Sequence, residues 1–369
     1  MTAKNVKLTV DSFGSVKDLI SNEQKEIKRF TWTNEKNHVS VQLISYGAMI
    51  TSCKLPSKTG EIVDIALGFD NIEGYLKDNN SAYIGSLMGR VANRIGNGEF
   101  ELNGVKYNLA KNFLGKHNLH GGMNGFDKFN WDSYVDGNVV YLTHVSPDMY
   151  EGYPGTVLVT AACSLSDDNS FTMKLTAVSN KPTPINLSNH SYFNLAGHDA
   201  GFMELYKHKL TINADKILDI DAEQIPTGDF LDVDGTEFDF RLPQELGDAI
   251  KKTANNGYDY NFCITSGSSQ SLTFVARVLH EKSGRFMEVY SDQPSVLFYT
   301  ANNLPNPCNN GSSVVGKNGA QYRKHGAFCL ETQKYADAVH HENFPSIILV
   351  PGKVYEHETV YKFGIYEGN

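Results

Sequence analysis

Five stretches of this 369-residue chain concentrate groups that can move protons or hold hydroxyls. They are Gly89-Arg90-Val91-Ala92-Asn93-Arg94-Ile95, then Asn118-Leu119-His120-Gly121-Gly122 followed by Phe126-Asp127-Lys128, and Asn186-Leu187-Ser188-Asn189-His190-Ser191-Tyr192-Phe193-Asn194. The last two are Gly257-Tyr258-Asp259-Tyr260-Asn261-Phe262 and Cys329-Leu330-Glu331-Thr332-Gln333. Histidine titrates near neutral pH and a carboxylate can be tuned toward it, so His190 and Glu331 are a candidate acid and base. Glu331 stands out because it lies in an apolar-flanked segment, and buried Glu is rare unless paired or at work. Polyol chemistry would employ all five stretches. Sugar hydroxyls call for fixed donors and acceptors (Asn, His, Arg, Asp) beside an aromatic wall. Taken singly, the same residues have plainer readings. Arg94 and Asp259 fit surface ion pairs, His120 fits the end of a turn, His190 a hydrogen-bonded core histidine, and Cys329 a small packed hydrophobe. Spacing alone does not bring His190 and Glu331 together.

The composition decides what kind of chain carries these groups. With 40% hydrophobic and 20% charged residues it is ordinary globular protein, which excludes wholesale disorder. Nineteen Tyr nearly match twenty Phe, a balance that suits β-sheet and a surface that stacks on something flat or sugar-like. A net charge of −9 supplies no field to gather nucleic acid or an anionic membrane, and neither is expected as a partner. The opening residues lack the apolar stretch of a signal peptide, and nowhere do about eighteen apolar residues run together. Cys53, Cys163, Cys263, Cys308 and Cys329 are scattered and odd in number, without a C-x-x-C. That pattern predicts reduced thiols in a soluble, cytoplasmic protein.

The elements that position the chemistry read as strands. Val39, Val41 and Leu43 alternate with polar residues, as do Phe171, Met173, Leu175 and Ala177, and again Leu272, Phe274 and Ala276. Period-two alternation marks strands with one buried and one solvated face, the antiparallel habit. Asn103-Gly104 between two alternating segments predicts a hairpin, and Asp234-Gly235 before Thr236-Glu237-Phe238 predicts similar work. Helical patterns are few and short, the best being Pro243–Ile250. No β-then-helix rhythm, repeat or Pro/Ser-rich linker appears. The expectation is a mainly β protein: one large antiparallel β-sandwich spanning residues 1–369 as a single domain, with few short helices. Residues 1–20 read as an N-terminal arm, with an opening strand around Phe30-Thr31-Trp32.

Several motifs are near misses. Gly311-Ser312-Ser313-Val314-Val315-Gly316-Lys317-Asn318 resembles a phosphate-binding loop but ends in Asn where a hydroxyl should hold Mg²⁺, and no strand precedes it. His280-Glu281, His341-Glu342 and His357-Glu358 never complete H-E-x-x-H. His340-His341 fits solvated surface better than a metal site, and no G-x-S-x-G elbow occurs. Asn310-Gly311-Ser312 is a chance sequon in a chain read as cytoplasmic.

In their order, G-R-V-A-N-R-I, N-L-H-G-G, N-L-S-N-H-S-Y-F-N-L, G-Y-D-x-N-F and C-L-E-T-Q closely resemble the galactose mutarotase (aldose 1-epimerase) family. The likeness runs from about residue 38 to the C-terminus and takes in Phe344-Pro345-Ser346 and Pro351-Gly352. The resemblance implies a large antiparallel β-sandwich, an isomerase acting on a free aldohexose such as galactose or glucose, no cofactor and no metal; a monomer or homodimer is expected. By motif, it implies His190 as general acid and Glu331 as general base, with Asn93, Arg94, His120 and Asp259 as sugar ligands. The acid would donate to the ring oxygen while the base takes the anomeric hydroxyl proton, so the pair should enter with His190 charged and Glu331 ionised. This chain departs at Tyr260, where many relatives carry His, and at Leu297 before Phe298-Tyr299-Thr300, where many carry Gln. The second departure touches substrate preference. The rival readings are a hexose-6-phosphate 1-epimerase, which needs extra Arg or Lys, and a non-catalytic sugar-binding protein.

Overall fold

Strand alternation becomes two-faced sheet throughout the computed structural model, which describes residues 4–76, 82–254, 256–264, 271–306 and 313–368. Along Val157–Leu165 every second side chain is buried, and Ser170–Ser179 buries Phe171, Met173, Leu175 and Ala177. About 48% of the chain is strand and 8% helix, so the architecture is mainly β. The helices among the described residues are short: Ile72–Leu76, Gly201–Leu205 and Leu246–Lys252.

Nine strands form the largest sheet, in the order Asp132–Asp136, Val139–Ser146, Val157–Leu165, Ser170–Ser179, Tyr355–Ile365, Arg285–Ser291, Thr273–His280, His208–Ile212 and Gln244–Glu245. A five-stranded sheet has the order Pro226–Asp232, Ala214–Ile220, Asp259–Ile264, Ser295–Tyr299 and Cys329–Gln333. A second five-stranded sheet runs in sequence order from Val6–Lys17 to Ile62–Asp64. One continuous core joins them. Val140, Val159 and Leu175 of the large sheet share it with Phe262, Val296, Phe298 and Leu330 of the first five-stranded sheet and with Trp32 and Val41 of the other. This is the antiparallel β-sandwich that the alternation predicts.

The first five-stranded sheet matters most for function. Its register pairs Asp259 with Tyr299 and Tyr299 with Cys329, and in the next row Asn261 with Leu297 and Leu297 with Glu331. Residues directly opposite share a face, so these six side chains face one way while Phe262, Val296, Phe298 and Leu330 face the core.

Local details differ from expectation in three places. The N-terminal arm is a strand, Val6–Lys17, paired antiparallel with Gln24–Asn34. The Asp18 carboxylate closes that turn by accepting from the Ile20 and Ser21 amides. Asn103-Gly104 is a two-residue hairpin with φ of 53° and 74°, both positive as a type I′ turn requires, whereas Asp234-Gly235 makes only a turn and no strand follows. In Thr273–His280 a bulge between Phe274 and Ala276 resets the alternation, so Val275 is buried while Leu272 is exposed. Cys308, the sequon at Asn310 and the opening of the phosphate-loop-like segment lie outside the described residues. Lys317 of that segment is held by Asp64 and by the Thr51 and Ala66 carbonyls. Among the described residues Cys53, Cys163, Cys263 and Cys329 are free thiols, and no helix is long and apolar enough to cross a membrane.

Candidate active site

Two sources of backbone converge on one cleft, a sheet face below and several loops above. Glu331 stands on the outermost strand of its sheet and is completely buried. His190 follows the short strand Ser188–Asn189, which pairs with Leu87–Met88. Its amide donates to the Ser86 carbonyl and its carbonyl accepts from Gly85, so the loop backbone aims the ring. His190 Nε2 thereby lies 3.4 Å from Glu331 Oε1.

Arg94, Asp259 and Gln224 form the polar rim. Arg94 Nη2 donates to Asp259 Oδ2 at 2.9 Å and to Gln224 Oε1 at 3.1 Å, while Nη1 donates to Asn93 Oδ1 at 3.3 Å. The guanidinium also lies over the Phe113 ring, 4.7 Å from its centroid. His120 and Asn93 brace one another: the Asn93 amide donates to His120 Nδ1 at 3.1 Å, and the His120 amide donates to the Asn93 carbonyl at 2.9 Å. A neutral His120 that accepts at Nδ1 carries its proton on Nε2 and is a donor there. Gly121 lets this loop touch the Gly89 loop, since a Cβ at its φ of 87° would lie 2.1 Å from the Gly89 carbonyl oxygen. Tyr83 and Tyr192 line the wall, with ring centroids 6.3 and 5.0 Å from that of His190. Tyr299 closes it edge-on at 6.1 Å.

Burial governs the proton affinities. Desolvation pushes His190 down to about 4, His120 well below the ordinary histidine range, and Glu331 well above the carboxylate range. Asp259 adds to the rise at Glu331 and Arg94 opposes it. Burial thus disfavours, in the free protein, the charged pair that the implied mechanism calls for: desolvation favours the proton on Glu331 and a neutral His190. Moving that proton across the 3.4 Å gap would give the charged arrangement at the same total charge. Neither Glu331 oxygen has a hydrogen-bond partner, and buried Asn93 Nδ2, Arg94 Nε and Gln333 Oε1 also lack one. Buried polar atoms without partners are uncommon, and a cluster of them around one cleft marks groups held ready for a ligand.

The structure brings together all six residues singled out from sequence. Asn93, Arg94, His120, His190 and Asp259 line the cleft, and Glu331 lies beside His190 at its floor. Cys329 is more than a packed hydrophobe, because its Sγ is 3.6 Å from His190 Nδ1. Sequence reasoning missed Tyr83, Gln224 and Phe113, which lie outside the five stretches singled out, and a lone aromatic or amide carries no local signal of function. Of the two departures, Tyr260 belongs to the opposite face, where it packs on Phe238, and leaves the cleft alone. Leu297 lines the cleft. His340 is exposed and paired with Asp337.

A sandwich that buries an unpartnered carboxylate against an imidazole, ringed by amides and tyrosines, has the groups that acid–base chemistry on a polar ligand requires. The chain belongs to the aldose 1-epimerase family of isomerases: the profile described as Aldose 1-epimerase matches residues 28–362. It is similar to the galactose mutarotase of Bos taurus, 44% identical over 331 residues, which cover 90% of this chain and 93% of the relative. It is also similar to the galactose mutarotase of Homo sapiens, 44% identical over 325 residues, with 88% and 91% covered. Among solved structures, the aldose epimerase homologue of C. elegans superposes with a TM-score of 0.81 at 28% identity, covering 90% of this chain and 97% of that one.

Proposed function

We propose that this chain, acting as one domain, interconverts the α and β anomers of free aldohexoses such as galactose and glucose, with His190 as general acid and Glu331 as general base. The observation that carries the reading is the buried pair itself, His190 Nε2 and Glu331 Oε1 at 3.4 Å, with both carboxylate oxygens unpartnered. Asn93, Arg94, His120 and Asp259 hold the sugar hydroxyls. As part of the same proposal the protein is cytoplasmic, a monomer or homodimer; the free thiols among the described residues fit a reducing compartment.

The reaction is proton bookkeeping at two oxygens. Glu331 removes the proton from the anomeric hydroxyl as His190 Nε2 delivers one to the ring oxygen. The bond from C1 to the ring oxygen breaks and C1 becomes an aldehyde. Rotation about C1–C2 presents the other carbonyl face, and closure reverses both transfers. Ring opening leaves Glu331 protonated and His190 neutral, the arrangement that burial favours. Desolvation of the charged pair therefore pushes in the direction of the uphill step. Acid–base assistance of this kind contributes about 10²–10⁴-fold per positioned group. The phosphosugar alternative is disfavoured by charge, because the cleft's Arg94 is committed to Asp259 and nearby Lys128 to Asp127.

Polarimetry of freshly dissolved α-D-galactose and α-D-glucose tests the reading, with the spontaneous rate subtracted. The expected result is an enzyme-proportional approach to an unchanged final rotation. No acceleration with either sugar, in folded protein, would refute it.

A further inference from the structure

Glu331 occupies the edge strand of its sheet, so it has a single cross-strand neighbour on the cleft face, and that neighbour is Leu297. Directly opposite residues bring their Cβ atoms to about 5 Å, close enough for a side-chain amide or hydroxyl to reach the carboxylate. Leu297 is 4% exposed and offers neither. Along the strand, Gln333 turns its amide nitrogen to Asn261 Oδ1 at 2.9 Å, and Cys329 is engaged with His190.

We propose that Leu297 is a positioning residue that sets the strength of the base: by facing Glu331 without a donor, it keeps the carboxylate free of any hydrogen bond from the sheet. This deepens the proposed function and rests on it for the word base. The titratable groups that face Glu331 do not replace the missing bond. His190 and Tyr192 come from the loop, Asp259 and Tyr299 from the neighbouring strands, and Tyr361 from Tyr355–Ile365. Burial holds His190, Cys329 and the tyrosines in their neutral forms, and the cation that acts on Glu331 among the described residues, Arg94, is paired with Asp259. A carboxylate stripped of donors holds its proton more tightly, so it is a stronger base at the anomeric hydroxyl.

The test substitutes Leu297→Gln, which adds an amide donor of similar size, and Leu297→Met, which adds none. The readouts are the ¹³C resonance of the Glu331 carboxyl, assigned by its loss in Glu331→Gln, and the pH profile of kcat/KM. The Gln variant is expected to titrate about one pH unit lower or more, at least tenfold in proton affinity. Activity requires the pair to keep one proton, and Glu331 releases it on the alkaline side, so the alkaline limb moves to lower pH by the same amount. The Met variant is expected to titrate with the parent. A Gln variant that titrates with the parent, or a Met variant that moves as far as Gln, overturns the proposal. The carboxyl titration does not depend on Glu331 being the base. If Glu331→Gln stays active while Leu297→Gln shifts the titration, the functional reading fails and the effect of Leu297 on Glu331 stands.

Discussion

Replacing Glu331 with Gln separates what the carboxylate does for the reaction from what it costs the fold. The amide cannot accept the anomeric proton, so the loss should be that of a general base, about 10²–10⁴-fold in kcat or ~3–5 kcal/mol in barrier. Stability should move the other way. Glu331 is wholly buried, neither oxygen has a partner, and its proton affinity is raised from an ordinary value of 4.5. A carboxyl raised on folding takes up a proton that the unfolded chain at neutral pH does not hold. Its penalty is absent below the unfolded value and grows as pH rises. At pH 7 it is bounded at about 3 kcal/mol, the free energy of keeping a proton on a group with that ordinary value. Gln removes this term and adds an amide of its own to satisfy, so a gain of about 1–2 kcal/mol at pH 7, fading toward pH 4, is the expected outcome. Polarimetry and urea unfolding at both pH values measure the two effects on one preparation. A variant within tenfold of parental turnover, or one less stable than the parent at pH 7, would refute the reasoning.

The pH profile of kcat/KM should keep its acid limb near pH 4, because His190, pushed to about 4 by burial, takes a second proton onto the pair only there. A limb near the ordinary histidine value would mean that the ring is solvated. Arg94→Lys keeps the charge but not the fork that reaches Asp259, Gln224 and Asn93, so KM should rise about tenfold or more with a smaller change in kcat; an unchanged KM would remove Arg94 from the sugar site. Acid should destabilise the fold through its buried histidines. His144, His190 and His357 are pushed down to about 4 and His208 to about 3. The unfolded chain binds protons below about pH 6.5 and the native state does not until near 4, so stability falls across that window, by roughly 2 kcal/mol per group at pH 5. Urea midpoints that stay flat from pH 7 to 5 would contradict this.

Legibility from sequence followed the range of the forces involved. The sandwich was readable because period-two alternation is a local record of two-faced burial, as in Ser170–Ser179. The N-terminal strand was not, since Val6–Lys17 forms an outer edge and several of its side chains face solvent, so its apolar pattern is weak. The bulge at Phe274 was invisible because one extra residue shifts the burial of every residue after it without changing composition. At the site, dense motifs pointed to side chains that the fold brings together, but Tyr83 and Gln224 lie outside those motifs and join the cleft only through tertiary contacts. Which protonation state the pair adopts depends on desolvation, and no spacing of His190 and Glu331 encodes that.

The division of labour between sheet and loops explains why burial and reactivity coincide here. An acid and base on a flexible surface would sit near their ordinary values, and a solvated carboxylate at about 4.5 is a weak match for a sugar hydroxyl. Antiparallel register fixes Glu331 beside Leu297 and in the same face as Asp259, while the loop anchored at Ser86 and Gly85 lays His190 over it. Both groups are thereby buried where the proposed reaction separates and recombines charge. The same burial makes the charged pair costly, and in the proposed reaction ring opening discharges it. A solvated pair would relieve that strain before the sugar arrived, so filling the floor with donors should make the protein more stable and the catalyst slower.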